Sequence, residues 1–233
     1  MDGMEQKKVE AAPLVTFLSS TIGKKQLVAV SGLLLCGFLV GHLLGNFLLL
    51  AGPDSFNIYA YRLTSTPLIY LAEAGLSILF LAHLFLAMNL TYHNKMARPE
   101  SYYKKTKTGK GANFFSRSMP FTGLIILIFI VTHLMHFKYG SYYSTVVEGK
   151  EVRDVYRTVM EYFASPGNSF WYVFAMLALC THLYHGVQST FQSLGINSPK
   201  WNCTFRLLGR SFGIFVPMGF ILLTLWCYFQ QSN

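Results

Sequence analysis

Residues 27–51 read LVAVSGLLLCGFLVGHLLGNFLLLA. The stretch is long enough to cross a bilayer as a helix, and it holds no Lys, Arg, Asp or Glu. One histidine, His42, lies in its second half, on a helix that also carries Gly37, Gly41 and Gly45. Glycines four residues apart fall on one helix face and leave a smooth stripe there. A metal-binding side chain beside such a stripe suits a large flat group pressed against the helix, as a porphyrin would be.

The rest of the chain extends this reading. Of the 233 residues, 52% are hydrophobic and 12% charged, against about 25% charged in an ordinary soluble domain. The apolar residues gather in long uncharged runs, the mark of an all-α multi-pass membrane protein. The 19 Lys and Arg outnumber the 10 Asp and Glu. Most of the basic residues lie between the apolar runs, so the excess reads as topology and not as a nucleic-acid partner. Cys36, Cys180, Cys203 and Cys227 show no CxxC spacing and no Cys/His metal pattern. Without a CxxCH motif, any haem would be held non-covalently. The first apolar run is too long for a signal peptide and no cleavage-like site follows it.

Five spans are expected, at about 27–51, 67–92, 118–137, 168–192 and 211–229, within one transmembrane domain covering 27–230. Residues 1–26 form a tail in which the mildly amphipathic 13–22 reads as a helix along the membrane surface. Residues 52–66 read as a short loop. Within 138–167, Val152, Val155, Tyr156, Val159, Met160 and Phe163 keep helical spacing, which predicts a surface helix. Pro217 is expected to kink the fifth span, at a cost that neighbouring helices absorb.

Charge sets the expected orientation. The loop 93–117 carries Lys95, Arg98, Lys104, Lys105, Lys107, Lys110 and Arg117 against the single Glu100. Lys200, Arg206 and Arg210 are placed in the short loop before the fifth span. With the Lys-bearing N-terminus, these basic segments face the cytoplasm. The chain then starts inside and ends outside, as an odd number of spans requires.

Six of the seven histidines fall within spans: His42, His83, His133, His136, His182 and His185. His93 sits at the cytoplasmic end of span 2 as an interfacial residue. An intramembrane histidine is costly and marks a functional candidate, although a hydrogen bond to a neighbouring helix also accounts for any one of them. At about 1.5 Å per residue, His42 and His133 each lie about 22 Å from the inner side, in the outer half. His83 lies about 24 Å and His182 about 21 Å from the outer side, in the inner half. Four helices thus supply two pairs, separated by about 10–15 Å. Two imidazoles from facing helices are what a six-coordinate b-type haem requires, each neutral at one nitrogen. Two such haems would span the bilayer. His136 and His185, one turn away, compete as ligands, and spacing does not choose between them and His133 or His182.

The segments IGKKQLVAVSGL, FLVGHLLGN, FLAHLFLAM, VTHLM and THLYHGV place a candidate ligand on each of the first four of five spans. That order resembles the single-chain diheme cytochrome b subunit of succinate:quinone oxidoreductases. The group includes the succinate dehydrogenases and fumarate reductases that use menaquinone. The similarity covers essentially the whole chain after the N-terminal tail. It implies His42, His83, His133 and His182 as ligands of two b haems, the first paired with the third and the second with the fourth. It also implies a flavoprotein (FAD) subunit and an iron–sulfur subunit on the cytoplasmic face of a bacterial cytoplasmic membrane, where the dicarboxylate chemistry occurs. The chain itself has neither a dinucleotide fingerprint nor cysteine clusters for it. Some fumarate reductases of this family carry a glutamate two residues before the fourth ligand, in a proposed proton path. Here that position is Cys180.

Glu73 is the one carboxylate well inside a span, about 9 Å from the outer surface. It is a candidate proton acceptor for a menaquinol bound near the outer haem, with Arg62, Thr64 and Ser65 as polar partners at the mouth of span 2. An interhelical hydrogen bond explains it equally well. Two rival functions stand beside this reading. One is the cytochrome b subunit of a hydrogenase, formate dehydrogenase or nitrate reductase, which concentrates its ligands on fewer helices. The other is a proton-coupled transporter with histidine relays.

Overall fold

The computed structural model describes residues 13–97, 114–196 and 200–231. Lys7, Lys8, Arg98, Glu100, Lys104, Lys105, Lys107 and Lys110 lie outside the described residues, and with them half of the basic residues behind the expected orientation. Five helices among the described residues are long and apolar enough to cross a membrane. They belong to α2 (Thr21–Asn46), α4 (Leu68–Met96), α5 (Phe114–His133), α7 (Pro166–Ser193) and α8 (Asn202–Gln231).

The first span starts earlier than hydropathy alone placed it. Helix α1 (Pro13–Ser19) ends just before Ser20, whose hydroxyl accepts from the Gly23 N–H at 3.0 Å and caps α2. Lys24 and Lys25 therefore lie inside the helix, and the Lys24 Nζ donates to Asn89 Oδ1 on α4 at 2.9 Å. At its far end α2 tightens into a 3-10 turn, Phe47–Ala51. Helix α5 ends in a single π-helical turn, Leu134–Lys138. Helix α7 opens on Pro166, whose missing N–H costs nothing at the first turn. It closes on Gly195 at φ +76°, with Gly195 N–H bonded to Gln192 O and Ile196 N–H to Phe191 O.

Three expectations are corrected. Residues 52–66 are not a loop but contain helix α3, Pro53–Thr64. Gly52 at φ +98° turns the chain, Pro53 starts the helix, and Asp54 and Arg62 suit its two dipole ends. The segment before the fourth span is part hairpin: β1 (Ser144–Val147) pairs antiparallel with β2 (Lys150–Arg153). Glu148 and Gly149 both take positive φ, 50° and 73°, which matches the twist a two-residue hairpin turn needs. Val152 is therefore a strand residue, and the helix α6 spans only Val155–Phe163. Thirdly, Arg206 and Arg210 lie inside α8 and not in the preceding loop, because α8 begins at Asn202.

Helix α6 does not lie with its apolar face open to the surface. Val159, Met160 and Phe163 are buried in one cluster with Phe56, Leu49, Tyr172 and Cys227. Together α3, the hairpin and α6 form a cap over one end of the bundle. Asn57, 1% exposed, ties the cap together: its Nδ2 donates to Asp154 Oδ1 and its Oδ1 accepts from the Tyr156 N–H, both at 2.9 Å. Asp154 also caps α6, accepting from the Arg157 N–H at 3.0 Å. Outside the spans, the exposed Arg157–Glu161 pair holds the Glu161 carboxyl below its usual range through its hydrogen bond to Arg157.

Helix α7 is the hub, packed on α8, α5 and α2, while α4 leans on α2. Helix α8 runs unbroken through the buried Pro217. Its glycines Gly209 and Gly213 meet the α7 backbone at Gln188 and Tyr184, the close approach that small residues permit between membrane helices. Helices α2, α4, α5 and α7 form a ring in which α2–α4, α2–α7 and α5–α7 pack and α4–α5 barely touch. Helix α4 buries no residue, so the α4–α5 seam is open.

Candidate functional site

The ring has two diagonals, and each carries one histidine pair. His42 on α2 faces His133 on α5, with ring centroids 5.8 Å apart and planes at 84°. His83 on α4 and His182 on α7 sit on the other diagonal. The two pairs lie at different heights. The His83 Nδ1 is 3.0 Å from Ser31 Oγ, which is eleven residues before His42 on α2. The His182 Nδ1 is 3.1 Å from Thr122 Oγ1, again eleven residues before His133, on α5. Eleven helical residues correspond to about 16 Å. The levels are thus slightly farther apart than depth counting implied, and both halves of the ring agree on the figure. The His42 level lies nearer the cap.

The near-cap pair sits among aromatic rings. His133 contacts Phe129, Phe137 and Tyr172, and its Nδ1 lies 3.1 Å from the Tyr172 hydroxyl. His42 stacks on Phe38 at 5.3 Å, and Asn46 Nδ2 is 3.5 Å from its ring. Beside it, a Cβ built on Gly37 or Gly41 meets nothing within 4 Å, so that part of the stripe faces open space. The third glycine, Gly45, does not: Tyr59 of α3 packs directly on it.

The competing histidines have other surroundings. The His136 Nδ1 donates to Thr132 O at 2.6 Å, and its exposed ring lies 4.6 Å from that of Tyr162. His185 is half-buried beyond His182 on α7. Among the described residues no three His, Cys, Asp or Glu side chains converge. The donor groups that the ring brings together are imidazoles, with His42 facing His133.

The residues expected around a quinone separate into two groups. Glu73 forms an ion pair with Lys138, at the end of the π turn, and so bridges the otherwise open α4–α5 seam. Arg62 pairs instead with Glu148 of the hairpin turn at 3.6 Å. Thr64 donates to Ala60 O at 2.8 Å and Ser65 to Arg62 O at 3.4 Å, so both hydroxyls turn into their own helix. The contacts of these three residues lead to α3 and the hairpin, and those of Glu73 lead to α5.

Sequence reasoning passed over Lys138, Tyr172, and the Ser31-Gly32 and Thr122-Gly123 steps. The last two had a visible signal, a hydroxyl residue followed by glycine at the same distance before a span histidine. Tyr172 and Lys138 had none, because only packing brings them to His133 and Glu73.

The near-cap pair can be tested for fit. A metal ion held between two imidazoles at about 2.0–2.1 Å from each nitrogen places the ring centroids about 6.3 Å apart. The observed 5.8 Å needs only a small opening. Beside His42, the Gly37 and Gly41 positions carry no packed neighbour. The spacing and donor chemistry of His42 and His133 therefore fit a metal group that would be held by two imidazoles. Comparisons with protein-family models, with curated proteins and with solved structures find no match to this chain.

Proposed function

We propose that this chain is the membrane-anchor cytochrome b of a quinone-linked oxidoreductase of the succinate dehydrogenase or fumarate reductase type. The observation that carries the reading is the placement of two histidine pairs on opposite diagonals of one four-helix ring, at two heights. His42 and His133 would hold one b haem, and His83 and His182 the other. Bound there, haem would supply reversible one-electron chemistry. The chain's task is then electron transfer between a membrane menaquinone or menaquinol and its partner subunits.

The chain's own residues supply position and environment. Apolar helices keep water from the histidines, and the hydroxyls of Ser31, Thr122 and Tyr172 orient three of the four rings. The cap end faces the outside of a bacterial cytoplasmic membrane, and the opposite end, where Lys24, Lys95, Arg206 and Arg210 lie, faces the cytoplasm. A flavoprotein subunit and an iron–sulfur subunit dock on that basic end. Glu73, at the outer end of the open α4–α5 seam, takes the proton of a quinol entering from the lipid, and the Lys138 ammonium balances its charge.

The test is a pyridine haemochrome assay with a reduced-minus-oxidised spectrum on the purified complex. Two non-covalent b haems per chain are expected. One haem, or none, overturns the reading.

A further inference from the structure

The two hydroxyl–glycine steps, Ser31-Gly32 on α2 and Thr122-Gly123 on α5, are a matched pair of devices. A serine hydroxyl has one proton to donate. Ser31 Oγ lies 2.8 Å from Leu27 O and 3.1 Å from Val28 O, carbonyls of its own helix that can only accept. Its proton goes to them, and the oxygen presents a lone pair to the His83 Nδ1 at 3.0 Å. Thr122 repeats the pattern on α5. Its Oγ1 lies 3.1 Å from Ser118 O and 3.2 Å from Met119 O, and 3.1 Å from the His182 Nδ1.

A glycine follows each hydroxyl residue. A Cβ on Gly32 would stand 3.2 Å from His83 Cε1, closer than side chains usually pack, whereas one on Gly123 would stand 3.7 Å from His182 Cε1, in ordinary contact, so the close approach demands glycine only at Gly32. Each step thus sits on the helix neighbouring the histidine it serves, α2 beside α4 and α5 beside α7.

From this geometry we infer that Ser31 and Thr122 are positioning residues that fix the tautomer of the His83–His182 pair, holding the proton on Nδ1 and leaving the Nε2 lone pair free for a metal. The inference deepens the proposed haem reading of that level and rests on it for the identity of the metal group, but the tautomer is a property of this chain alone. The near-cap pair lacks the device. His133 meets a phenol that can donate or accept, and Asn46 Nδ2 stands at 3.5 Å from both nitrogens of His42.

The experiment uses the intact complex and its Ser31→Ala, Ser31→Thr, Thr122→Val and Thr122→Ser variants. Imidazole 15N spectra of the histidine-labelled, reduced complex, assigned against His83→Ala and His182→Ala, report the tautomer whether or not haem is present. A protonated Nδ1 on both residues supports the inference, and a protonated Nε2 on both overturns it. Removing an outer hydrogen-bond partner of a metal ligand costs about 10–100-fold in affinity. Ser31→Ala and Thr122→Val are therefore expected to release the haem at that level 10–100-fold more readily. Any haem retained should be easier to reduce by up to tenfold in its equilibrium constant, about 59 mV for one electron. Ser31→Thr and Thr122→Ser should restore both values. Unchanged affinity and potential in Ser31→Ala and Thr122→Val, or no rescue by the hydroxyl variants, overturns the positioning role. A parent complex without haem overturns the functional reading instead, and the 15N spectra still decide the tautomer.

Discussion

The diagonal pairing makes a demand on double variants that single substitutions cannot make. His42 and His133 share one level, and His83 and His182 the other, with eleven residues between levels on both α2 and α5, about 16 Å. The side chains that hold each ring belong to its own level: Tyr172 for His133, Ser31 for His83, Thr122 for His182. Loss of one level should therefore leave the other standing. Haem content should fall from two to one per chain in His42→Ala, in His133→Ala, and no further in the double variant of these two. The same holds for His83→Ala, His182→Ala and their double variant. Combining His42→Ala with His83→Ala removes one member of each pair, and the content should fall to zero. His136→Ala and His185→Ala should keep two, since it is the His133 ring that faces His42, while the His136 ring packs on Tyr162. The assay is pyridine haemochrome per chain on purified complex, with circular dichroism to confirm that the helices remain. One retained haem in the His42→Ala, His83→Ala variant, or none in His42→Ala, His133→Ala, refutes the pairing. A loss in His136→Ala without a loss in His133→Ala moves the ligand by one turn.

Two further outcomes are expected. Glu73→Gln keeps the shape of the side chain but can neither accept a proton nor pair with Lys138. Both haems should remain and dye-linked activity of the catalytic subunits should be unchanged, while quinone-linked turnover is largely lost. Normal quinone turnover would reduce Glu73 to a tie between α4 and α5. Gly213→Ala would place a Cβ 2.6 Å from the Tyr184 backbone nitrogen, where no flexible side chain can yield. Overpacking of this kind costs about 1–3 kcal/mol, so thermal unfolding in detergent should come well below that of Gly37→Ala, whose Cβ meets open space. Equal midpoints would show that α7 and α8 do not pack as described.

How far the sequence reaches follows from the range of each signal. Five spans were legible because crossing a bilayer depends on runs of apolar residues, a property of consecutive positions that no tertiary contact has to supply. The separation of the two histidine levels was legible in outline, because a helix converts residue number into distance at a constant rate. The cap was misread where local chemistry is brief. Gly52-Pro53 marks a helix start as well as a break, and the two-residue turn at Glu148-Gly149 separates strands too short to show alternation above a helical pattern. The apolar face of α6 announced burial but not its partner, and only the folded chain sets it against Phe56, Tyr172 and Cys227. Depth along the spans already grouped the histidines into two levels, but which helices stand beside one another around them was likewise a tertiary matter. It depends on α7 packing between α5 and α2 while α4 leans on α2 alone, an order of helices that their similar hydropathy does not encode. The partners of the rings follow from that order, since Ser31 reaches His83 and Tyr172 reaches His133 only once helices distant in sequence stand side by side.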